Sequence, residues 1–211
     1  MFTGIVQGRG IVREISARPG LLTFRIALPT PASQNLQTGA SICVDGVCLT
    51  ATRIEDNIVD FDVMQQTLTV TTLGGLSPGA EVNIERSMQR GGEIGGHVLS
   101  GHIDTSAQIV RLEQPENNYV IHFQVKPEWM RYIFAKGYVA LHGASLTVAS
   151  IDRDSSTFCV WLIPETLRLT TFGLKKIGDR VNLEVDRTTQ VIVDTVRSFL
   201  TEHLKEMLKE S

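Results

Sequence analysis

Two short segments carry the side chains best suited to chemistry. Cys48 stands in GVCLT and Ser145 in GASLT, each two residues after a glycine and two before a threonine, Thr50 or Thr147. Residues two apart on a strand share a face. Each segment therefore presents a thiol or hydroxyl beside a threonine hydroxyl, a pattern that can contact a ring or attack an electrophile. Cysteine is the stronger nucleophile, but only as thiolate. Taken alone, both read equally as small residues closing a strand after a glycine turn. His102, after Gly101, adds an imidazole suited to proton transfer near neutral pH; the plainer reading is a ring satisfied by a backbone bond. Asp186 ends RVNLEVD, where a strand should finish, and reads as a helix cap or as a proton acceptor. His97 reads as structural. Two histidines in a glycine-rich stretch with no nearby Cys or Asp cluster do not make a zinc site. Cys43, Cys48 and Cys159 are odd in number and form no CxxC pair, so neither a metal centre nor a disulfide framework is expected.

The two segments are copies of one another. TGIVQGRGIVREI resembles SGHIDTSAQIVRL, and VDGVCLTATRI aligns with LHGASLTVASI. The longest match sets VDFDVMQQTLTVTTLGGLSPGAEVNIE against FCVWLIPETLRLTTFGLKKIGDRVNLE. Gly46 falls on Gly143, Cys48 on Ser145, Thr67 on Thr166 and Asn83 on Asn182. Two long copies make this a domain duplication rather than a solenoid. We read residues 1–97 as one domain, 98–187 as the second and 188–211 as a tail.

Each half is β in pattern: short runs rich in Val, Ile and Thr, separated by turn residues such as Arg18-Pro19-Gly20 and Asp45-Gly46. Strands at that spacing suggest a small closed barrel. A short helix is expected over 128–137, with Trp129, Ile133 and Phe134 on one face and Gly137 as its stop. A weaker counterpart lies at 31–39. The tail repeats Val193, Val196, Leu200 and Leu204 at helical spacing, closed by Met207 and Leu208, with Asp194 early and Lys205 and Lys209 late. Its stripe packs either on its own barrels or against copies from other subunits.

Composition narrows the classes further. The 211 residues are 42% hydrophobic and 20% charged, with net charge −3 and no concentrated basic face, so a nucleic-acid partner is not suggested. No apolar run approaches bilayer length, and MFTGIVQGRG lacks the build of a signal peptide. A cytoplasmic, reducing setting with no membrane association is the expectation.

MFTGIV, GGHVLSGHID, GASLTV and PETLRLTTFG, in that order on that duplication, resemble the riboflavin synthase family across nearly the whole chain. The resemblance implies two Greek-key β-barrels, each binding one lumazine, and a C-terminal helix that bundles at the centre of a homotrimer. Sites would lie between the first barrel of one subunit and the second barrel of a neighbour. Two molecules of 6,7-dimethyl-8-ribityllumazine would give riboflavin and 5-amino-6-(D-ribitylamino)uracil by transfer of a four-carbon unit, without metal, nucleotide or redox cofactor. The lumazine synthase that supplies substrate is the partner to test.

The catalytic set so implied is Cys48, His102, Ser145, Thr147 and Asp186, with Ser145 as a hydrogen-bonding group and Cys48 as nucleophile or ring contact. Asp186 would polarise Ser145 or take a proton. Ring contacts would include Cys48, Leu49 and Thr50 in one barrel and Ser145, Leu146 and Thr147 in the other. Lys136 would reach a neighbouring subunit's pocket. The first pocket floor would be Gly4, Ile5 and Val6 with Asp62, Val63, Met64, Gln65, Gln66 and Thr67. The second would be Gly101, His102 and Ile103 with Trp161, Leu162, Ile163, Pro164, Glu165 and Thr166. Gln66 departs from the family's glutamate, keeping the hydrogen-bonding shape without the charge. A non-catalytic antenna of the same fold is the alternative. It should erode the second barrel's motif and shorten the tail, whereas this chain keeps His102, Ser145 and PETL.

Overall fold

The computed structural model describes residues 1–89, 91–116 and 118–207, with side chains as far as residue 203. The first barrel is built from β1 (Gly8–Arg18), β2 (Leu21–Ala27), β3 (Ser41–Val44), β4 (Val47–Glu55), β5 (Ile58–Met64) and β6 (Glu81–Arg86). The second uses β7 (Thr105–Glu113), β8 (Tyr119–Gln124), β9 (Tyr138–Leu141), β10 (Ala144–Asp152), β11 (Thr157–Leu162) and β12 (Arg180–Val185). Every ladder is antiparallel. The orders β1-β2-β5-β4-β3-β6 and β7-β8-β11-β10-β9-β12 each close on themselves. In both, a hairpin is enclosed by strands paired across it, which is Greek-key wiring. Closure removes the sheet edges that would otherwise template aggregation.

Alternation along β4 and β10 decides where chemistry can occur. Val47, Leu49 and Ala51 are buried, while Cys48 is half-buried and Thr50 exposed; Ala144, Leu146 and Val148 repeat the pattern around Ser145 and Thr147. The barrel interiors are filled with apolar side chains, including Phe24 and Phe61 in one and the stacked pair Phe123–Phe158 in the other. The reactive side chains therefore lie on the outer barrel walls.

Among the described residues four α-helices accompany the strands: α1 (Thr30–Ser33), α2 (Gln65–Val70), α3 (Pro164–Leu169) and α4 (Arg187–Met207). The helix expected over 128–137 is instead a 3-10 turn, Pro127–Tyr132. Ile133 leaves helical geometry after its N–H meets the Met130 carbonyl, and Lys136 is left-handed (φ 69°). Phe134 is consequently exposed, while Ile133 is buried in the second core and Trp129 packs against it, so the three do not share one face. The helix expected over 31–39 shrinks to the single turn of α1, with Asn35 left-handed beyond it. Tail residues form α4, but the expected stripe divides. Val193 packs on the second core and Asp194 accepts a 2.6 Å bond from the Tyr132 hydroxyl, whereas Val196 and Leu200 are exposed beside Val191, Ile192 and Phe199. The side chains of Leu204, Lys205 and Met207, and all of Leu208 and Lys209, lie outside the described residues. Among the described residues no helix is long and apolar enough to cross a membrane.

A local twofold relates the barrels, and its axis passes between the β3–β4 and β9–β10 hairpins. A Cβ on Gly46 would lie 2.9 Å from the Gly143 nitrogen, and one on Gly143 2.9 Å from that of Gly46, so only glycine allows this approach. Buried asparagines lock the contact symmetrically. The Asn83 amide donates to the His142 carbonyl (3.0 Å) and accepts from the Thr171 N–H (2.7 Å). That of Asn182 donates to the Asp45 carbonyl (2.8 Å) and accepts from the Thr72 N–H (2.7 Å). Buried polar networks of this kind specify one register between packed units.

Candidate active site

The segments leading into the two barrels are exchanged. Phe2 and Leu99 pair as a β-bridge, and from there each segment crosses to the opposite barrel. The Gly4 carbonyl accepts the Ser145 N–H at 2.9 Å, and Val6 joins the core of the second barrel. The Gly101 carbonyl accepts the Cys48 N–H at 2.9 Å, and Ile103 packs on the core of the first. The expected pocket floors are thereby corrected: Gly4, Ile5 and Val6 belong with Ser145, and Gly101, His102 and Ile103 with Cys48. A repeat alignment matches each segment to its own copy and carries no information on which barrel it packs against.

The exchange creates a cavity of about 190 Å³ on the second barrel. Gly4, Ile5 and Val6 form one side, and Ala144, Ser145 and Leu146 another. Glu165, Thr166, Leu169 and Thr170, from α3 and the residue after it, complete the lining. Their repeat equivalents are Gly101, His102 and Ile103; Val47, Cys48 and Leu49; and Gln66, Thr67, Val70 and Thr71. The expected floor strips 62–67 and 161–166 thus run from strand into helix. Glu165 is held ionised by its hydrogen bonds from Arg168, at 2.8 and 2.5 Å. Gln66, its counterpart, has no charge to pair.

Within strips 62–67 and 161–166, two of the expected ring contacts face the barrel interiors, and the others lie at the surface. Val63 and Leu162 point into the barrel cores, almost wholly buried, as strand alternation dictates for positions between exposed neighbours. Asp62 accepts a bond from Thr23 at 2.6 Å. Met64, Trp161 and Ile163 are exposed around the starts of α2 and α3, and Gln65 and Pro164 open those helices. Lys136 is exposed ahead of β9 and is not among the residues lining the cavity.

His97, read from sequence as structural, is the partner of Ser145. Its Nδ1 lies 2.7 Å from the Ser145 Oγ, and its ring stacks on Tyr138 with centroids 5.3 Å apart. Nε2 is buried without a hydrogen-bond partner among the described residues. Burial lowers the His97 pKa, and the Asp186 carboxylate offsets part of that effect. The neutral imidazole is thus the favoured form, as a base requires. Gly96 closes over the pair: a Cβ there would meet the Thr3 carbonyl at 2.3 Å and the Ser145 Oγ at 2.9 Å. The repeat could not reveal His97, because its sister position would fall before residue 1.

Asp186 makes no hydrogen bond to Ser145; the hydroxyl of Ser145 is paired with the Nδ1 of His97, and the tautomer of the ring decides which of the two donates. Asp186 caps α4 instead, accepting the Thr189 N–H (2.8 Å) and hydroxyl (2.6 Å). Burial acts to raise its pKa. The Thr189 bonds and the charge of His97 outweigh that and hold it below the usual carboxylate value. His102 is exposed at the opposite half-site, its N–H on the Ser100 Oγ (3.2 Å) and its carbonyl bound by Arg187 (2.7 Å). Among the described residues no group of three or more His, Cys, Asp or Glu could hold a metal.

Comparison with known proteins follows this architecture. Residues 3–87 and 100–186 each match the lumazine binding domain family. The chain is 47% identical over 201 residues to the riboflavin synthase of Escherichia coli (strain K12), covering 95% of this chain and 93% of that protein. It is 43% identical over 206 residues to the riboflavin synthase of Chlamydia pneumoniae, covering 98% and 100%. Among solved structures it is similar to LumP complexed with riboflavin (TM-score 0.82, 26% identity, covering 89% of this chain and 100% of that one). It is also similar to LumP complexed with 6,7-dimethyl-8-(1'-D-ribityl) lumazine (TM-score 0.79, 25% identity, covering 89% and 100%).

Proposed function

The chain belongs to the riboflavin synthase family, and from that premise we propose that Ser145 and Cys48 head two half-sites, each taking one 6,7-dimethyl-8-ribityllumazine. The reaction is the dismutation of two lumazines to riboflavin and 5-amino-6-(D-ribitylamino)uracil by four-carbon transfer. The observation that carries the reading is the pair of twofold-related sites, each made of an exchanged glycine segment laid on a Ser or Cys strand. A reaction between two copies of one substrate needs two similar pockets. Holding both rings in register can remove roughly 7–11 kcal/mol from the barrier.

The cavity on the second barrel is small beside the roughly 300–1,000 Å³ of typical ligand sites, which enclose most of their ligand. It suits one ring and leaves its outer face open. A second ring, presented by the first barrel of another copy, would close it. The exposed row of Val191, Ile192, Val196, Phe199 and Leu200 on α4 supports assembly through that helix, which we read as a homotrimer, with a cytoplasmic setting.

Within the second half-site, Ser145 and His97 form the acid–base couple: the neutral imidazole takes a proton through or beside the Ser145 hydroxyl, as abstraction from the acidic 7-methyl group requires. Thr147 stands on the same exposed face. At the opposite half-site Cys48 and His102 contact the other ring. For His97→Gln we expect turnover to fall roughly 10²–10⁴-fold while the melting temperature moves little, measured by steady-state kinetics beside a thermal melt. An unchanged kcat would remove His97 from the chemistry.

The function itself is tested by mixing the purified protein with 6,7-dimethyl-8-ribityllumazine alone and following visible absorbance. Riboflavin formed at half the molar amount of lumazine consumed is the expected result. Tight, fluorescent binding without turnover would make the chain an antenna instead.

A further inference from the structure

Two buried glutamates, neither lining the cavity, tie the exchanged segments down. Glu85 on β6 and Glu184 on β12 are 3% and 2% exposed, and the repeat sets one on the other. Glu85 Oε1 accepts the Thr3 N–H and hydroxyl, both at 2.7 Å, and its Oε2 accepts the Gly4 N–H at 3.0 Å. Glu184 Oε1 accepts the Ser100 N–H (2.8 Å) and hydroxyl (2.6 Å), and its Oε2 the Gly101 N–H (3.0 Å). The glycine so held then receives, at its own carbonyl, the N–H of the nucleophile strand in the other barrel, Ser145 or Cys48. A continuous chain of hydrogen bonds thus runs from a carboxylate in one barrel to the reactive residue of its sister.

A buried carboxylate is costly unless its hydrogen bonds are strong and complete. Arg187 stands 4.0 Å from Glu184 and also binds the His102 carbonyl and Asp104. Glu85 has no ion pair among the described residues, and burial raises its pKa against the bonds from Thr3, Gly4 and Ile5. A merely solvated glutamate would satisfy the fold at lower cost, and both positions instead hold the backbone on which a half-site is built.

We infer that Glu85 and Glu184 are positioning residues acting across the barrels: Glu85 of the first barrel sets the Ser145 half-site, and Glu184 of the second sets the Cys48 half-site. This rests on the reading of two half-sites proposed above. The test is riboflavin titration of the full chain with one half-site filled, by Cys48→Phe or by Ser145→Phe. Glutamine keeps the size of glutamate but turns an amide N–H toward the glycine N–H, a repulsive contact.

With Cys48→Phe, adding Glu85→Gln should weaken riboflavin binding about tenfold or more, and adding Glu184→Gln should not; with Ser145→Phe the dependence should reverse. Melting curves confirm that each variant is folded. Weakening by the glutamate of the same barrel, equal weakening by both, or no weakening overturns the inference. If each singly filled protein fails to bind riboflavin at all, the two-half-site reading falls first, a result distinct from any of these.

Discussion

Gly4→Ala is expected to empty the Ser145 half-site while leaving its sister intact, and Gly101→Ala to do the converse. Gly4 has φ 76°, and a Cβ there would lie 2.5 Å from the Ser145 Cβ and 2.8 Å from its backbone nitrogen. Gly101 has φ 77°, with a Cβ 2.6 Å from that of Cys48 and 2.9 Å from the Cys48 nitrogen. The obstacle in each case is backbone and cannot rotate away. Relief requires the exchanged segment to lift from the opposite barrel, breaking the carbonyl bond to Ser145 or Cys48. A shift of about 1 Å at a reacting centre can cost on the order of 10²-fold in rate. Each variant should therefore lose at least about that much turnover and one of two riboflavin sites per chain. Gly20→Ala is the control, because φ is 79° but nothing lies within 4 Å. It should cost only roughly 1–2 kcal/mol of backbone strain and leave turnover unchanged. Steady-state kinetics and a riboflavin titration of the three variants check both statements.

The second large effect is on stability against pH, and it comes from the hairpin pair on the local twofold. Asp45 and His142 occupy the same position of the two copies, both fully buried and both left-handed, at φ 47° and 45°. Asp45 accepts the Asn83 N–H at 2.8 Å, and the His142 Nδ1 accepts the Asn182 N–H at 3.2 Å. Burial raises the Asp45 pKa to about 7, against the Asn83 bond and the charge of Lys175. Burial lowers that of His142 well below its usual value, and Lys175 adds to the effect. The signs are opposite. The Asp45 contribution is complete below about pH 4 and is lost as pH rises toward 7. The His142 contribution is complete above about pH 6.5 and is lost as pH falls.

Asparagine suits both sites, since it tolerates the left-handed backbone and keeps the acceptor oxygen. Relative to the parent, Asp45→Asn should gain stability between pH 4 and 7, by up to about 4 kcal/mol at roughly 1.4 kcal/mol per pKa unit. His142→Asn should gain as pH falls below 6.5. Denaturant unfolding across that range reads both, and a difference independent of pH in either variant would refute its assignment.

The fold was legible because the chain states it twice. A strand pattern ambiguous in one copy is supported at the matching position of the other, and the Gly46/Gly143 and Asn83/Asn182 pairs mark the contacts that became the twofold. The facing of Cys48 with Thr50 and of Ser145 with Thr147 follows from strand alternation alone. What stayed hidden depends on the path of the chain in space. Gly4 and Gly101 are visible as glycines, but their packing on the sister barrel requires the crossing at Phe2 and Leu99. His97 has no copy to compare with, and its value lies in a 2.7 Å contact with a residue far along the sequence. Glu85 and Glu184 stand at the end of the longest repeat match, where nothing in the strand pattern marks them as buried. The helix expected over 128–137 failed because its apolar residues anchor a turn between strands, where local packing outweighs helical spacing.

The claim that two alike half-sites react with one another from different chains is tested most directly by complementation. Ser145→Phe and Cys48→Phe fill opposite half-sites, and each variant alone should be inactive. Co-expressed in equal amounts, they should regain roughly a quarter of the parent's lumazine turnover, because a head-to-tail ring places one intact half from each kind of chain together at that frequency. Inactivity of the mixed protein, with both variants folded and present in the same assemblies, would contradict the account.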